Sequence, residues 1–221
     1  MPDLKLYHYP VRACSHVTFN ALEEAGIDYD DQSIDIFKGE QKSPEYLKIH
    51  PGGKVPALVV DGKTLTENAA ILMYLSSLAP DAGLLPKSSS DFERSKYYSD
   101  LVWVSSTFHP AIRQVRMAIR FTDGDPAGVQ SKGIEFSTAI FDMLEARLAG
   151  DKWWYGDAWS VVDVYVNWCV VTAASTQLMP MEKYPAIMSH MGRVQARPSF
   201  QKAVARQVAS KERDGVVFPD E

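Results

Sequence analysis

A chain of 221 residues with 46% hydrophobic content and 11% aromatics can bury a full core, as one large domain or two of modest size. Its net charge of −5 leaves no basic surplus to neutralise phosphates, which argues against nucleic acid and against anionic membrane surfaces as partners. No amino-terminal segment joins a basic start, an apolar run and a small-residue cleavage site, and the longest apolar run, residues 161 to 175, carries Asp163 and Asn167 and is too short to span a bilayer, so a reducing cytoplasm is the expected compartment.

In chain order, the alternation in LKLYHY at residues 4 to 9 predicts a strand. CSHVTFNALEEAG then places Val17, Ala21 and Ala25 four apart before Gly26 stops a helix. YDDQSIDI, residues 29 to 36, returns as a polar-faced strand, and Ser43 followed by Pro44 opens a short helix through Leu47. ALVV and KTLT flank Asp61-Gly62, a pair suited to the positive φ angles of a two-residue turn, so residues 57 to 66 form a hairpin. A helix over residues 68 to 78 completes the order βαβαββα.

Residues 79 to 91, rich in proline, serine and glycine, carry no sustained periodicity and mark a boundary. The predicted division is a first domain over 1–79, a linker over 80–91 and an all-helical domain over 92–221. Its helices are predicted over 91 to 121, 126 to 149, 160 to 176, 185 to 196 and 198 to 208. Trp159-Ser160-Val161-Val162-Asp163-Val164 has the form of a capping box: Ser160 accepts from the N–H three residues on, Asp163 reaches back, and Trp159 staples onto Val164. Such a box stabilises a helix by about 1 kcal/mol.

Pro56, at the entrance to a strand, removes an N–H where a buried sheet needs one. A trans proline on an edge strand satisfies that constraint. So does a cis bond, which turns the Val55 N–H and C=O out of the sheet towards an extended peptide ligand. The two cysteines, Cys14 and Cys169, have no spacing that suggests a disulfide framework or a metal site, and His8, His16, His50 and His190 suggest no metal spacing either.

HPGGKVPAL (50 to 58), LTENAAILMYL (65 to 75), SVVD (160 to 163) and RPSFQKA (197 to 203), set in this order of elements, resemble the cytosolic glutathione transferase family over essentially the whole chain. VRACSHVTFNALEEAG is most similar to the bacterial beta class, whose corresponding turn has a cysteine followed by a serine. The resemblance implies an α/β thioredoxin-like amino-terminal domain followed by an all-α carboxy-terminal domain. It also implies glutathione as co-substrate without a metal, a small electrophilic or aromatic second substrate, and a cytoplasmic homodimer engaged in detoxification. By the same resemblance Val55, ahead of a cis Pro56, pairs its main chain with the cysteinyl part of glutathione. Glu67 and Asn68 hold the γ-glutamyl end, with Asn68 where serine is commoner, and Lys54 reaches the glycyl carboxylate. Elementary physics agrees at one point: free N–H groups at a helix start receive a carboxylate, and Glu67 opposes the ammonium.

Cys14 lies at the predicted start of the first helix, where N–H groups and the helix dipole stabilise a thiolate. Two chemistries compete there: Ser15 donating its O–H to the glutathione thiolate, or the Cys14 thiolate exchanging with disulfides, which the beta-class resemblance favours. Residue 17 is valine, which excludes a dithiol cycle. His109 aligns with a beta-class histidine near the thiol, although Pro110 follows where that class has lysine. Tyr9 is a candidate pocket wall or thiolate donor, and Arg12 a candidate anion donor. Phe108 and Ile112, with Thr107, Val115 and Met117, lie on the helix that in the family helps to form the second-substrate pocket. Two other functions fit the same motifs: a glutathione-dependent isomerase or ether-cleaving enzyme, and a binding module of this fold without chemistry.

Overall fold

A computed structural model of the chain describes residues 1–11 and 13–218. Residues 1–84, together with the chain from Arg197 onward, form one compact unit, and residues 85–196 form another.

The first unit opens with β1 (Leu4–His8), α1 (Ser15–Ala25), β2 (Asp30–Ser33), α2 (Pro44–Ile49), β3 (Ala57–Val60), β4 (Lys63–Thr66) and α3 (Asn68–Leu78), the predicted order. Among the described residues the strands make one sheet in the order β2-β1-β3-β4, with β1 parallel to β2 and antiparallel to β3. Alternation in β1 buries Leu4, Leu6 and His8, and Val17, Phe19 and Leu22 of α1 and Ile71, Leu72 and Leu75 of α3 complete the core. The hairpin turn works as the Asp-Gly pair requires, with φ of 47° at Asp61 and 78° at Gly62. β2 is shorter than predicted. Asp35 accepts hydrogen bonds from the N–H groups of Phe37 and Lys38, and this side-chain turn competes with further extension of the strand.

The second unit holds α4 (Asp91–Trp103), α5 (His109–Arg116), α6 (Ala127–Leu148), α7 (Val161–Ala174) and α8 (Pro185–Gln195). The single helix predicted over 91 to 121 is interrupted. Val104–Phe108 is a π turn in which the His109 N–H donates to the carbonyl of Val104, and Ala118–Phe121 is a separate 3₁₀ turn. Pro110 has no N–H to give to the carbonyl four residues back, and the widened turn lies just ahead of it. The predicted capping box forms at the head of α7.

α5 and α6 approach closely at Gly133, where an added Cβ would lie 2.8 Å from the Gln114 Cβ and 2.9 Å from the Val115 main-chain nitrogen. Backbone cannot yield as a flexible side chain does. Gly133→Ala is therefore expected to destabilise the protein by about 2 kcal/mol, the scale of core overpacking, measured by urea denaturation.

The last helix, α9 (Pro198–Arg213), is grouped with the helical domain by sequence, but it belongs to the first unit, where it packs on α1. Polar pairs far apart in sequence hold it there. Glu24 accepts from Arg197 and Ser199, and the Arg206 guanidinium lies 3.7 Å from the Tyr29 ring centre. Asp31 accepts from Arg206 Nε and an Arg213 terminal nitrogen, each at 2.9 Å, from Ser210, and from His8. Burial alone would raise the Asp31 pKa, but the hydrogen bonds from His8, Ser210, Arg213 and Arg206 outweigh it and hold the carboxyl far below the usual carboxylate range.

Candidate active site

After β1 the chain turns through Val11, whose φ of 64° is a costly conformation for a β-branched residue. Its N–H donates to Gln207 Oε1 at 3.0 Å. The amide nitrogen of Gln207 meets His16 Nδ1 at 2.7 Å and the Ala203 carbonyl at 2.9 Å. One buried glutamine of α9 thus ties the turn to the first residues of α1. Burial lowers the His16 pKa to about 4, so the ring is neutral near pH 7 and accepts from the amide.

Cys14 is the N-cap of α1 and is half-buried. Its Sγ–H donates to the Val55 carbonyl at 3.8 Å. Val55 precedes a cis peptide bond to Pro56, and the ladder of β3 begins only at Ala57, opposite Tyr7 and Thr66. Ser15 stands differently from its neighbour: it is fully buried, and its hydroxyl donates to the Tyr9 carbonyl at 3.0 Å.

At the head of α3, Glu67 is exposed and has φ of 67°, another strained position for a residue with a side chain. The N-cap Glu67 makes no side-chain cap hydrogen bond, and first-turn N–H groups of a helix are donors suited to an anion. Asn68 is turned inward. Its Nδ2 donates to the Cys14 carbonyl at 2.8 Å, and its Oδ1 accepts from the Thr18 hydroxyl at 2.7 Å. The amide expected to face a ligand is bonded within the protein.

The Lys54 side chain is exposed, while its carbonyl accepts from the Tyr46 hydroxyl at 2.6 Å. His50 Nδ1 accepts from the Gly52 N–H at 3.1 Å. Burial lowers the His50 pKa, and the nearby Glu67 carboxylate opposes that shift. Gly53, at φ of 56°, has no room for a Cβ, which would lie 2.8 Å from the Gln41 carbonyl oxygen.

Three expected pocket residues are core residues. Tyr9 is 2% exposed and packs with Val216 and Phe218, its ring 5.6 Å from that of Phe218, so the carboxy-terminal tail covers the supposed wall. Phe108 and Ile112 are fully buried inside the helical unit, with Phe108 6.0 Å from both the Trp103 and Phe141 rings. One apolar helix face serves a core and a pocket equally well in sequence, and here the core takes it. His109, after the π turn, has Nδ1 3.0 Å from the Tyr165 hydroxyl and its ring 4.5 Å from that of Trp168. Arg12 lies outside the described residues. Sequence reasoning missed Thr18, Gln207 and the pairing of His16, for which no local spacing gives a signal. Among the described residues no group of three or more His, Cys, Asp and Glu side chains could hold a metal.

A unit of this topology, with a cysteine at the head of α1 facing the residue before a cis proline, is a thioredoxin-like domain, followed here by a helical unit. Residues 2–77 match the family model described as glutathione S-transferase, N-terminal domain, and residues 126–198 match glutathione S-transferase, C-terminal domain. The chain belongs to the glutathione S-transferase family.

Among similar proteins, the disulfide-bond oxidoreductase YfcG of Escherichia coli is 29% identical over 221 residues, spanning 95% of this chain and 98% of that one. A glutathione transferase homologue from Sulfitobacter, solved with bound glutathione, is 28% identical with a TM-score of 0.82, covering 93% of this chain and 99% of its own. The bacterial beta-class glutathione S-transferase of Sphingomonas chungbukensis is 30% identical with a TM-score of 0.79, covering 92% and 98%. The beta-class resemblance drawn from the cysteine turn agrees with this last likeness.

Proposed function

We propose that this protein is a glutathione transferase that binds glutathione in its amino-terminal unit and uses Cys14 at the glutathione sulfur. One observation carries the choice of residue: the Cys14 thiol faces the Val55 carbonyl at 3.8 Å, whereas the Ser15 hydroxyl is buried in a 3.0 Å bond to the Tyr9 carbonyl. Glutathione lies extended along the Val55 main chain. Its glutamyl carboxylate meets the uncapped N–H groups of α3, Glu67 faces its ammonium, and Lys54 faces its glycyl carboxylate.

The geometry favours disulfide exchange. The Cys14 thiolate attacks the glutathione-side sulfur of a mixed disulfide, a new S–S bond forms, and the old one breaks. The electron pair leaves with the released thiolate, which takes up a proton. A second glutathione thiolate then attacks the glutathionyl sulfur, giving oxidised glutathione and restoring Cys14. The similarity to a protein named as a disulfide-bond oxidoreductase supports this reading.

Conjugation is the second reaction of the same site, supported by the transferase names of the relatives. In it the glutathione thiolate forms a bond to an electrophilic carbon, and the leaving group departs with its electron pair. Family membership supports a small electrophilic or aromatic second substrate, and His109, whose Nδ1 lies 3.0 Å from the Tyr165 hydroxyl, is the residue of the helical unit put forward for it. Family membership supports a cytoplasmic homodimer acting in detoxification. No helix among the described residues is long and apolar enough to cross a membrane.

Calorimetric titration with glutathione tests the reading. Saturable binding at or below millimolar concentration is expected, together with turnover of a small disulfide or a chloronitrobenzene. The absence of any heat of binding at millimolar glutathione would end the proposal. Binding without turnover across disulfides and electrophiles would favour a ligand-binding module, and turnover confined to a dienoic acid or an aryl ether would favour an isomerase or ether-cleaving enzyme.

A further inference from the structure

Thr18 and Asn68 meet in the buried contact between α1 and α3. Thr18 is fully buried, one helical turn beyond Cys14, and Asn68 is 5% exposed. The Cys14 carbonyl accepts from the Val17 N–H at 3.1 Å and from Asn68 Nδ2 at 2.8 Å.

A carbonyl can only accept, so Asn68 must present its nitrogen to Cys14. Its oxygen then faces Thr18, whose hydroxyl is left as the donor, at 2.7 Å. The direction of both bonds is thereby determined. Aspartate at this position has no donor for the Cys14 carbonyl, and serine is too short to serve both partners. Threonine, with few χ1 rotamers open to it in a helix, loses little entropy when its hydroxyl is held by the Asn68 oxygen.

We infer that Thr18 and Asn68 are a positioning pair for Cys14: they fix the peptide plane at the head of α1 and so the direction in which the thiol projects towards Val55. Asn68 also gives its main-chain N–H to the first turn of α3, the donors assigned above to the glutamyl carboxylate. One residue therefore joins the end that binds the glutamyl group to the end that carries the thiol. The inference rests on the reading of Cys14 as the working thiol, but its test does not require glutathione.

The measurement is the rate of Cys14 alkylation by iodoacetamide in the free, full-length protein as a function of pH. It is read by mass spectrometry on the Cys14 peptide, with the Cys169 peptide as internal control. Asn68→Ala is expected to slow alkylation about fivefold at neutral pH, the scale of one lost hydrogen bond, and to displace the profile towards higher pH. Asn68→Asp, which sets a carboxylate against the Cys14 carbonyl, displaces it further. Thr18→Val gives a smaller displacement in the same direction, and Thr18→Ser restores the wild-type profile.

Wild-type profiles for both Asn68→Ala and Thr18→Val, in proteins shown to be folded by circular dichroism, would overturn the inference. If Asn68→Ala does not fold, the comparison of Thr18→Val with Thr18→Ser decides alone. Failure of the wild-type protein to bind glutathione in calorimetry would count against the proposed function, while the alkylation profiles would still judge the positioning pair.

Discussion

Cys14→Ala is expected to lose glutathione-dependent reduction of a small disulfide by on the order of a thousandfold, the scale of removing a nucleophile that acts covalently. The substitution deletes the sulfur proposed to form the mixed disulfide, and residue 17 is valine, so no neighbouring thiol takes over. Ser15→Ala should keep the reduction within a fewfold of wild type, because its hydroxyl serves the Tyr9 carbonyl. That variant should instead lose about 1 kcal/mol of stability, the scale of one buried hydrogen bond. Conjugation of a chloronitrobenzene should fall less in Cys14→Ala than reduction does, because there the attacking thiolate belongs to glutathione. Steady-state assays of both reactions on the two variants and the wild type give the answer. Undiminished disulfide reduction by Cys14→Ala would remove this residue from its role.

Asp163→Ala is expected to cost about 4 kcal/mol, far more than an ordinary helix cap. The carboxylate is fully buried and accepts from four donors. Oδ2 takes the Ser160 N–H at 2.8 Å and the Ser160 hydroxyl at 3.0 Å. Oδ1 takes the Trp154 N–H at 2.7 Å and His190 Nε2 at 2.9 Å. Truncation leaves all four without an acceptor in a site that water does not reach, and the cost is that of unpaired buried groups. Asp163→Asn keeps the shape but turns one acceptor into a donor, and should cost about half as much. Urea denaturation of both variants measures the effect. A loss in Asp163→Ala no larger than the roughly 1 kcal/mol of a surface cap would refute this account of the box.

Asp163 and Cys14 differ in how much of their surroundings can be read from the chain. The capping box was visible as a spacing, because Ser160 and Asp163 stand three apart on one helix start, and local geometry alone brings them together. His190 and Trp154, which raise its value, come from another helix and a preceding loop, and no pattern around residue 160 announces them. At the candidate active site the same division holds. Cys14 at a helix start, Pro56 at a strand entrance and Glu67 at the head of a helix were each readable from the chain. That the Asn68 amide would close on Cys14 and Thr18 was not, since an asparagine side chain points to ligand or protein according to what packs above it.

The helical unit was the less legible half. Phe108 and Ile112 have the composition of a pocket and the burial of a core, a choice that periodicity leaves open. The π turn before His109 traces to Pro110, a cause readable in principle, because a missing N–H is a local fact.

The sequence by itself determined the order of strands and helices, the turn at Asp61-Gly62, the caps, and the family to which the motifs point, because each depends on residues within a few positions of one another. Tertiary structure alone decided that α9 joins the first unit, that Gln207 braces the turn before Cys14, that Tyr9 is covered by Phe218, and which of Cys14 and Ser15 faces Val55. Those outcomes rest on hydrogen bonds and contacts that, apart from the choice between neighbouring Cys14 and Ser15, join residues more than 150 positions apart, and their partners are fixed only when the whole chain has packed.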